Sequence, residues 1–188
     1  MSMPAKKLPQ SQKYSRKDYL AWSDEERWEI IDGTAYNMTP APSRAHQKIS
    51  RELLLTFGSY LKRKACEIYD SPFDVFLSDD NIVQPDLVIV CDQAKLTERG
   101  CEGTPDLVVE ILSPATSKKD LNEKFSLYER FGVKEYWIVF PFEGNSQIHV
   151  YTLNEGNAYG EPAVFAKGDF ATTTLFEELR IEVSEIFS

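Results

Sequence analysis

The 188-residue chain is poor in the features that define several protein classes. It has three cysteines and two histidines. No uncharged apolar run approaches the roughly 20 residues that a membrane span needs, and the N-terminus has no apolar signal core. The cysteines (Cys66, Cys91 and Cys101) are odd in number and lack a C-x-x-C spacing, so we expect free thiols rather than a disulfide framework. These absences predict a cytoplasmic protein with no membrane contact.

Positive charge is also scarce, and it is unevenly placed. The net charge is −9; the first 17 residues hold five basic side chains and no acid, so the rest of the chain carries −14. An acidic body opposes non-specific binding of nucleic acid, which depends on neutralising phosphates. Any such contact must come from local basic pairs such as Lys118-Lys119, although runs of this kind are more often simply solvated.

Several active-site motifs are missing as well. The sequence contains no P-loop, no G-x-G-x-x-G, no H-E-x-x-H and no G-x-S-x-G, which are the usual signs of nucleotide binding, zinc proteolysis and serine hydrolysis. His46 and His149 are the only imidazoles, and a zinc site would need them to converge with scattered cysteines. The remaining candidates for chemistry are carboxylates.

The distribution of apolar residues predicts one domain of the α/β class. The polar segment 1–14 predicts a disordered basic tail, and residues 15–188 predict a single domain with a mixed sheet flanked by helices. The predicted elements are a short helix from Ser15, a hairpin about Asp32-Gly33, a helix from Ser43 to about Lys64, two strands within 67–92, a loop over 93–104, a buried strand over 105–112, a helix from about Ser117 to Phe131, strands over 134–142 and 147–154, the latter at the edge, and a strand near 163–165.

Two acids interrupt or open apolar strands. Glu110 lies inside the run LVVEIL, and Asp86 opens the run LVIV after a proline. Because neighbouring strands lie roughly 5 Å apart, one acid from each can share a divalent cation, and oxygen ligands suit Mg²⁺ or Mn²⁺. Asp106 also follows a proline, but it is roughly 13 Å from Glu110 on the same strand. The alternative for Glu110 is an exposed strand face or a structural salt bridge.

Three further side chains have two readings each. Lys124 falls inside the apolar stripe of its helix, so its ammonium either escapes to water or reaches a carboxylate site. His46 lies on the apolar face of the first long helix, as a satisfied core histidine or as part of a site. Glu29, in the strand before Asp32-Gly33, is either an exposed strand residue or a further acid.

A set of motifs gives the chain a family resemblance over about residues 15–155. They are EIIDG, His46 opening a helix, VQPDLVIV, PDLVVEILSPATSKKD, Lys124, Tyr128 and GVKEYWIVFP. With these residues the chain resembles the putative restriction endonuclease family, formerly a domain of unknown function, of the PD-(D/E)xK nuclease superfamily. The resemblance implies a restriction-endonuclease-like fold and a Mg²⁺-dependent phosphodiesterase centre, with Asp86 as the first acid and Glu110 as the second. Leu112 stands where the superfamily has a lysine, and Lys124 matches the position to which this family is thought to have moved it.

The first hypothesis is therefore a Mg²⁺-dependent endonuclease that acts on DNA. Asp86 and Glu110 are the predicted metal ligands, Lys124 orients the water or neutralises the phosphate, and His46 and Glu29 line the cleft. The alternative is a non-catalytic binding or regulatory module that retains the fold, which the acidic body favours and which needs no metal. A hydrolase acting on another substrate is a third hypothesis. A homodimer would suit the cutting of both strands.

Overall fold

The computed structural model describes residues 8–9, 11–23, 26–38, 41–113 and 119–188. In chain order its strands are β1 (Trp28–Ile31), β2 (Thr34–Asn37), β3 (Glu67–Asp70), β4 (Asp74–Ser78), β5 (Asn81–Val83), β6 (Leu87–Val90), β7 (Leu96–Thr97), β8 (Gly100–Glu102), β9 (Leu107–Ile111), β10 (Glu135–Phe142), β11 (Asn145–Thr152), β12 (Ala163–Ala166), β13 (Phe170–Ala171) and β14 (Ile181–Glu182). The α-helices are α1 (Arg16–Tyr19), α2 (Arg44–Leu61), α3 (Phe125–Phe131) and α4 (Val183–Ile186). A π-helical turn, Asp120–Lys124, directly precedes α3.

These strands form two six-stranded sheets and one small pair. The N-terminal sheet has the order β2-β1-β5-β4-β8-β7, and the central sheet has the order β12-β11-β10-β9-β6-β3. In the central sheet β9 and β10 are parallel and the other neighbours are antiparallel. The chain crosses between the two sheets at short links that include residues 71–73 between β3 and β4, residues 84–86 between β5 and β6, and residues 103–106 between β8 and β9.

The central sheet separates two apolar cores. One face packs against α2 and the C-terminal segment, through residues such as Leu53, Phe57 and Trp137. The other face packs against the N-terminal sheet and α3, through residues such as Val108 and Tyr128. Strand β9 is buried along its whole length, as its unbroken apolar run predicts. The N-terminal sheet thus covers part of a face of the central sheet that the sequence-based prediction covers with helices.

Local signals in the sequence define several element ends. Asp32 and Gly33 have φ values of 48° and 71°, which a type I′ hairpin turn requires. Ser43 caps α2 by accepting a hydrogen bond from the N–H of His46 at 3.2 Å. Gly132 ends α3 in the left-handed conformation, with φ 76°. Tyr14, which the sequence places in the tail, is buried and donates its N–H to the Gly33 carbonyl at 2.8 Å. Residues 1–7 and 10 of the predicted tail lie outside the described residues.

Other boundaries differ from the sequence-based expectation. Residues 67–92 form four strands instead of two, because Pro72 and Pro85 supply no N–H to a ladder and interrupt each run. Residues 93–104, expected as a loop, contain a 3₁₀ turn (Gln93–Lys95) and two short strands, β7 and β8. Strand β11 is not at the edge, since β12 pairs with it. The predicted start of the helix near Ser117 lies outside the described residues, and Asp120–Lys124 is π-helical.

The expectation of free thiols is wrong for two of the three cysteines. Cys66 and Cys91 form a disulfide, and Cys101 is free and buried. The antiparallel register of β3 and β6 pairs Glu67 with Val90, so the next positions outward, Cys66 and Cys91, face each other. Spacing along the sequence carries no information on this register. Among the described helices, none has the length and apolar character to cross a bilayer.

Candidate active site

Asp86 and Glu110 lie opposite each other on adjacent strands of the central sheet. The antiparallel register of β6 and β9 pairs Leu87 with Val109, and one step further along it reaches Asp86 and Glu110. Side chains in such a pair share one face, with their Cβ atoms roughly 5 Å apart. That face is turned toward the N-terminal sheet and α3. The structure therefore brings the two predicted acids together.

Lys124 occupies the space between this pair and the N-terminal sheet. Its side chain is only 1% exposed, and its Nζ lies 2.6 Å from Glu110 Oε1 and 2.7 Å from Glu29 Oε1. Asp120 Oδ1 is 3.9 Å away, one turn earlier on the same segment. The ammonium therefore does not escape to water, and the snorkelling alternative is wrong. The π-helical turn directs both Asp120 and Lys124 inward.

Glu29 is completely buried, so the alternative of an exposed strand residue is wrong. Its Oε1 accepts the backbone N–H of Gln84 at 3.0 Å, and its Oε2 pairs with Lys119 Nζ at 2.5 Å. Burial raises the pKa of this carboxyl, but the ammonium groups of Lys124 and Lys119 outweigh burial and hold the pKa at about 2. Glu29 is therefore a stable carboxylate that fixes two lysines at the site. Lys118, the other member of the predicted basic pair, lies outside the described residues.

His46 reaches the site from the first turns of α2. Its Nε2 lies 3.1 Å from Asp86 Oδ2, which also accepts the N–H of Ile111 at 2.7 Å. Burial lowers the pKa of His46, and the Asp86 carboxylate raises it by more. No described residue forms a hydrogen bond with Nδ1. His46 is thus a partner of Asp86, and its side chain, 12% exposed, is not a closed core histidine.

The surroundings of Glu110 oppose its ionisation. Its burial and the nearby carboxylates of Asp120 and Asp86 raise its pKa well above the ordinary range, in spite of the Lys124 ammonium. The hydroxyl of Tyr128 donates to Glu110 Oε1 at 2.9 Å. Groups whose pKa is shifted by desolvation together with nearby like charge concentrate at functional sites.

Three site residues carry no role in the sequence-based hypothesis. Asp120 and Tyr128 lie four residues before and after Lys124, a spacing that places side chains on one helical face. That spacing is the signal by which both could have been found. Gln84 reaches Glu29 through its backbone N–H, and no sequence pattern identifies such a contact.

The donor set fits a divalent cation. Four carboxyl groups (Glu29, Asp86, Glu110 and Asp120) and two lysines (Lys119 and Lys124) meet here, and carboxyl oxygens are the ligands that Mg²⁺ and Mn²⁺ prefer. No group of three or more His, Cys, Asp or Glu side chains in the described ranges is arranged as a metal site. Mg²⁺ usually keeps several of its waters, so two carboxylate ligands can be enough to bind it, with water in the other coordination positions.

Asp106 serves a different purpose at the far end of β9. Its Oδ2 accepts the N–H of Cys91, and its Oδ1 pairs with Lys134, both at 2.7 Å. It is therefore a structural acid, as its distance along the strand from Glu110 predicts.

The fold has a counterpart among solved structures. A crystal structure described as a putative nuclease belonging to DUF820, from Anabaena variabilis ATCC 29413, superposes with a TM-score of 0.74 and 21% identity, covering 92% of this chain and 97% of that chain. The predicted class, a restriction-endonuclease-like α/β fold with a mixed central sheet, is confirmed.

The sequence itself defines the family. The model of the Uma2 family, described as "Putative restriction endonuclease", matches residues 16–184, so the chain belongs to this family, and the predicted resemblance is confirmed. A curated relative, "Uncharacterized protein slr1290" of Synechocystis sp. (strain ATCC 27184 / PCC 6803 / Kazusa), is 34% identical over 119 residues. That match spans 62% of this chain and 62% of the relative.

Proposed function

We propose that this protein is a Mg²⁺- or Mn²⁺-dependent endonuclease that hydrolyses phosphodiester bonds of DNA. The observation that carries the proposal is the cluster of Asp86, Glu110 and the buried Lys124 on one face of the central sheet. Membership of a family described as restriction endonucleases and a solved structural neighbour described as a nuclease support it.

Each side chain of the cluster has a separate role in this proposal. Asp86 and Glu110 would hold the cation, which would supply acidification of a water and neutralisation of the charge on the phosphate. Lys124 has three N–H donors and directs two toward Glu110 and Glu29. We assign its third to the attacking water or to a phosphate oxygen.

The two remaining predicted residues act through others. His46 orients Asp86 through the contact at 3.1 Å. Glu29 orients Lys124 and Lys119. Both are positioning residues, because fixed ligand geometry depends on the groups that hold the ligands.

The direct test compares metal binding with DNA cleavage. Calorimetry measures Mn²⁺ binding by the wild type, Asp86→Asn and Glu110→Gln, and supercoiled plasmid with Mg²⁺ or Mn²⁺ measures cleavage. We expect both variants to lose both properties and EDTA to stop the wild-type reaction. Asp106→Asn is the matched control, because it also follows a proline at the start of an antiparallel neighbour strand.

The same experiment separates the alternatives. A wild type that binds neither cation, and cleaves no DNA, supports the non-catalytic module that retains the fold. Metal binding with no action on plasmid, linear duplex or single-stranded DNA supports hydrolysis of another substrate. A homodimer remains part of the proposal, and light scattering with and without DNA measures it. The cytoplasmic location stays a prediction.

A further inference from the structure

Arg27 is a cation beside the site whose described partners are neutral. Its Nε donates to Gln84 Oε1 at 3.0 Å, and one of its terminal nitrogens donates to Ser71 Oγ. None of the salt bridges formed within the described ranges involves Arg27. The arginines that do pair with described carboxylates are Arg16, Arg51 and Arg130.

Both partners of Arg27 are joined to the acidic cluster. The backbone N–H of Gln84 donates to Glu29 Oε1 at 3.0 Å. The backbone N–H of Ser71 donates to the carbonyl of Asp86 at 3.1 Å. Arg27 also directly precedes β1, two residues before Glu29. The guanidinium of Arg27 therefore lies at the edge of the site.

A second layer of hydrogen bonds holds Arg27 in one orientation. The side-chain amide of Gln84 donates to Asp74 Oδ1 at 2.8 Å and to the Tyr19 hydroxyl at 3.1 Å, which turns its Oε1 toward Arg27. The Tyr19 hydroxyl in turn donates to the same Asp74 oxygen at 2.7 Å. The half-buried Arg27 is thus ordered before any ligand arrives, and an ordered side chain loses little entropy on binding. Its bonds to Gln84 and Ser71 use two of the five donors of a guanidinium.

We infer that Arg27 binds a backbone phosphate of the DNA strand beside the Asp86–Glu110 pair. The inference rests on the proposed nuclease function. Both lysines of the site already contact carboxyl oxygens, Lys119 that of Glu29 and Lys124 those of Glu29 and Glu110, so they are less available to an incoming strand. Arg27 has no carboxylate partner among the described residues, and the planar fork of a guanidinium matches two oxygens of one phosphate. It supplies the local positive charge that a chain of net charge −9 needs at this place.

The test is DNA affinity as a function of salt. Fluorescence anisotropy with a labelled duplex is measured in Ca²⁺ in place of Mg²⁺, for the wild type, Arg27→Met, Arg27→Lys and Arg180→Met. Arg180→Met is the matched control, because this exposed arginine also bonds only neutral oxygens, the carbonyls of Glu177 and Leu179.

We expect Arg27→Met to weaken binding roughly 10-fold or more, the scale of one charged hydrogen bond. It should also reduce the slope of log Kd against log salt by about 0.9, one phosphate contact. Arg27→Lys should keep the slope and recover part of the affinity, since it keeps the charge without the fork. Arg180→Met should match the wild type in DNA affinity and in the salt slope.

Two further measurements exclude a purely structural role for Arg27. Mn²⁺ affinity should be unchanged in Arg27→Met, and urea unfolding identifies any loss of stability; Arg27→Gln, which keeps hydrogen-bonding groups, replaces the variant if Arg27→Met does not fold. A structural role would move the unfolding midpoint and leave the salt slope unchanged, which overturns the inference. A wild type that binds DNA no better than Arg27→Met overturns this inference alone. A wild type that neither binds nor cleaves DNA overturns the proposed function as well.

Discussion

Two Pro-Asp dipeptides occupy opposite ends of the same pair of strands. Asp86 precedes β6 and Asp106 precedes β9, and these strands are antiparallel. Asp86 Oδ2 accepts the N–H of Ile111, and Asp106 Oδ2 accepts the N–H of Cys91, each at 2.7 Å. Each carboxylate thus fastens the end of the opposite strand, and the two ends of the pair have the same local hydrogen bonding.

The two ends differ in what lies across from the aspartate. Continuing the register of β6 and β9 places Glu110 opposite Asp86, and Val90 opposite Asp106. A Pro-Asp dipeptide is therefore a strand fastener in this fold. The candidate site arises only where a second acid faces it.

The lysines at the two ends differ in their exposure to solvent. Lys124 is 1% exposed and lies between two carboxylates. Lys134, the partner of Asp106, is 62% exposed. An exposed ion pair contributes little to stability, whereas removal of one member of a buried pair leaves an uncompensated charge. We therefore expect substitutions at the Asp86 end to cost more activity and stability than substitutions at the Asp106 end.

The largest expected difference is in the DNA cleavage rates of the variants at Asp86 and Asp106. Asp86→Asn should reduce the single-turnover rate of Mg²⁺-dependent plasmid cleavage by roughly 10³-fold, because it removes a preorganised charge from the reacting centre. Asp106→Asn should leave the rate within about threefold, since surface and structural changes away from the centre have small effects. Equal losses in the two variants would contradict the division of roles between the two ends.

Replacement of Lys124 is expected to have the next largest effect. Lys124→Met should reduce cleavage by roughly 10²-fold and destabilise the apo protein by about 3–5 kcal/mol, since Glu29 and Glu110 lose their shared cation. Mg²⁺ should restore part of this stability, because the ion neutralises Glu110 in place of the ammonium. Urea unfolding with and without Mg²⁺ measures this, and an unchanged cleavage rate would refute the assignment of the displaced lysine.

A second-site lysine can sharpen this result. Leu112 is buried on the same face of β9 as Glu110. Leu112→Lys in the Lys124→Met background should recover part of the cleavage rate, because it returns an ammonium to the side of Glu110. If circular dichroism shows that the double variant folds and its cleavage rate does not recover, the position of the lysine on the helix matters as well as its charge.

The acid stability of the protein should depend on Glu29. Its pKa in the folded protein is about 2, below the 4.5 of an unperturbed glutamate. The stability that its ionisation contributes is therefore present above about pH 4.5 and is lost as the pH falls toward 2, in total roughly 3 kcal/mol. Glu29→Gln should flatten the pH dependence of urea unfolding in this window. Glu52→Gln on α2, whose partner Arg51 is exposed, should leave it unchanged.

The smallest expected effect is on the stability contribution of Asp106. Asp106→Asn keeps an acceptor for the Cys91 N–H and loses only the pair with the exposed Lys134. We expect a loss of about 1 kcal/mol or less in the free energy of unfolding, by urea titration. A loss of several kcal/mol would indicate that Asp106 is as strongly coupled to its surroundings as Asp86.

Elements defined by a few neighbouring residues could be predicted. The turn at Asp32 and Gly33, the start of α2 after Ser43 and the end of α3 at Gly132 follow from local backbone preferences. The pairing of Asp86 with Glu110 was also accessible, because alternation and adjacency are properties of neighbouring strands.

Features that depend on register or on distant segments could not be predicted. The Cys66–Cys91 disulfide needs the exact pairing of β3 with β6. The burial of Glu29 needs a second sheet stacked on the first, whereas the sequence-based hypothesis contained a single sheet. Asp120 and Tyr128 were visible at helical spacing, but only the position of Glu110 in space shows what they serve.

The link of residues 84–86 between the two sheets has a geometric consequence. Glu29 is bonded to the N–H of Gln84, and Asp86 follows two residues later. The N–H that holds Glu29 and the carboxylate of Asp86 therefore belong to one three-residue segment, so the local backbone of that segment sets the spacing of these two acids across the two sheets.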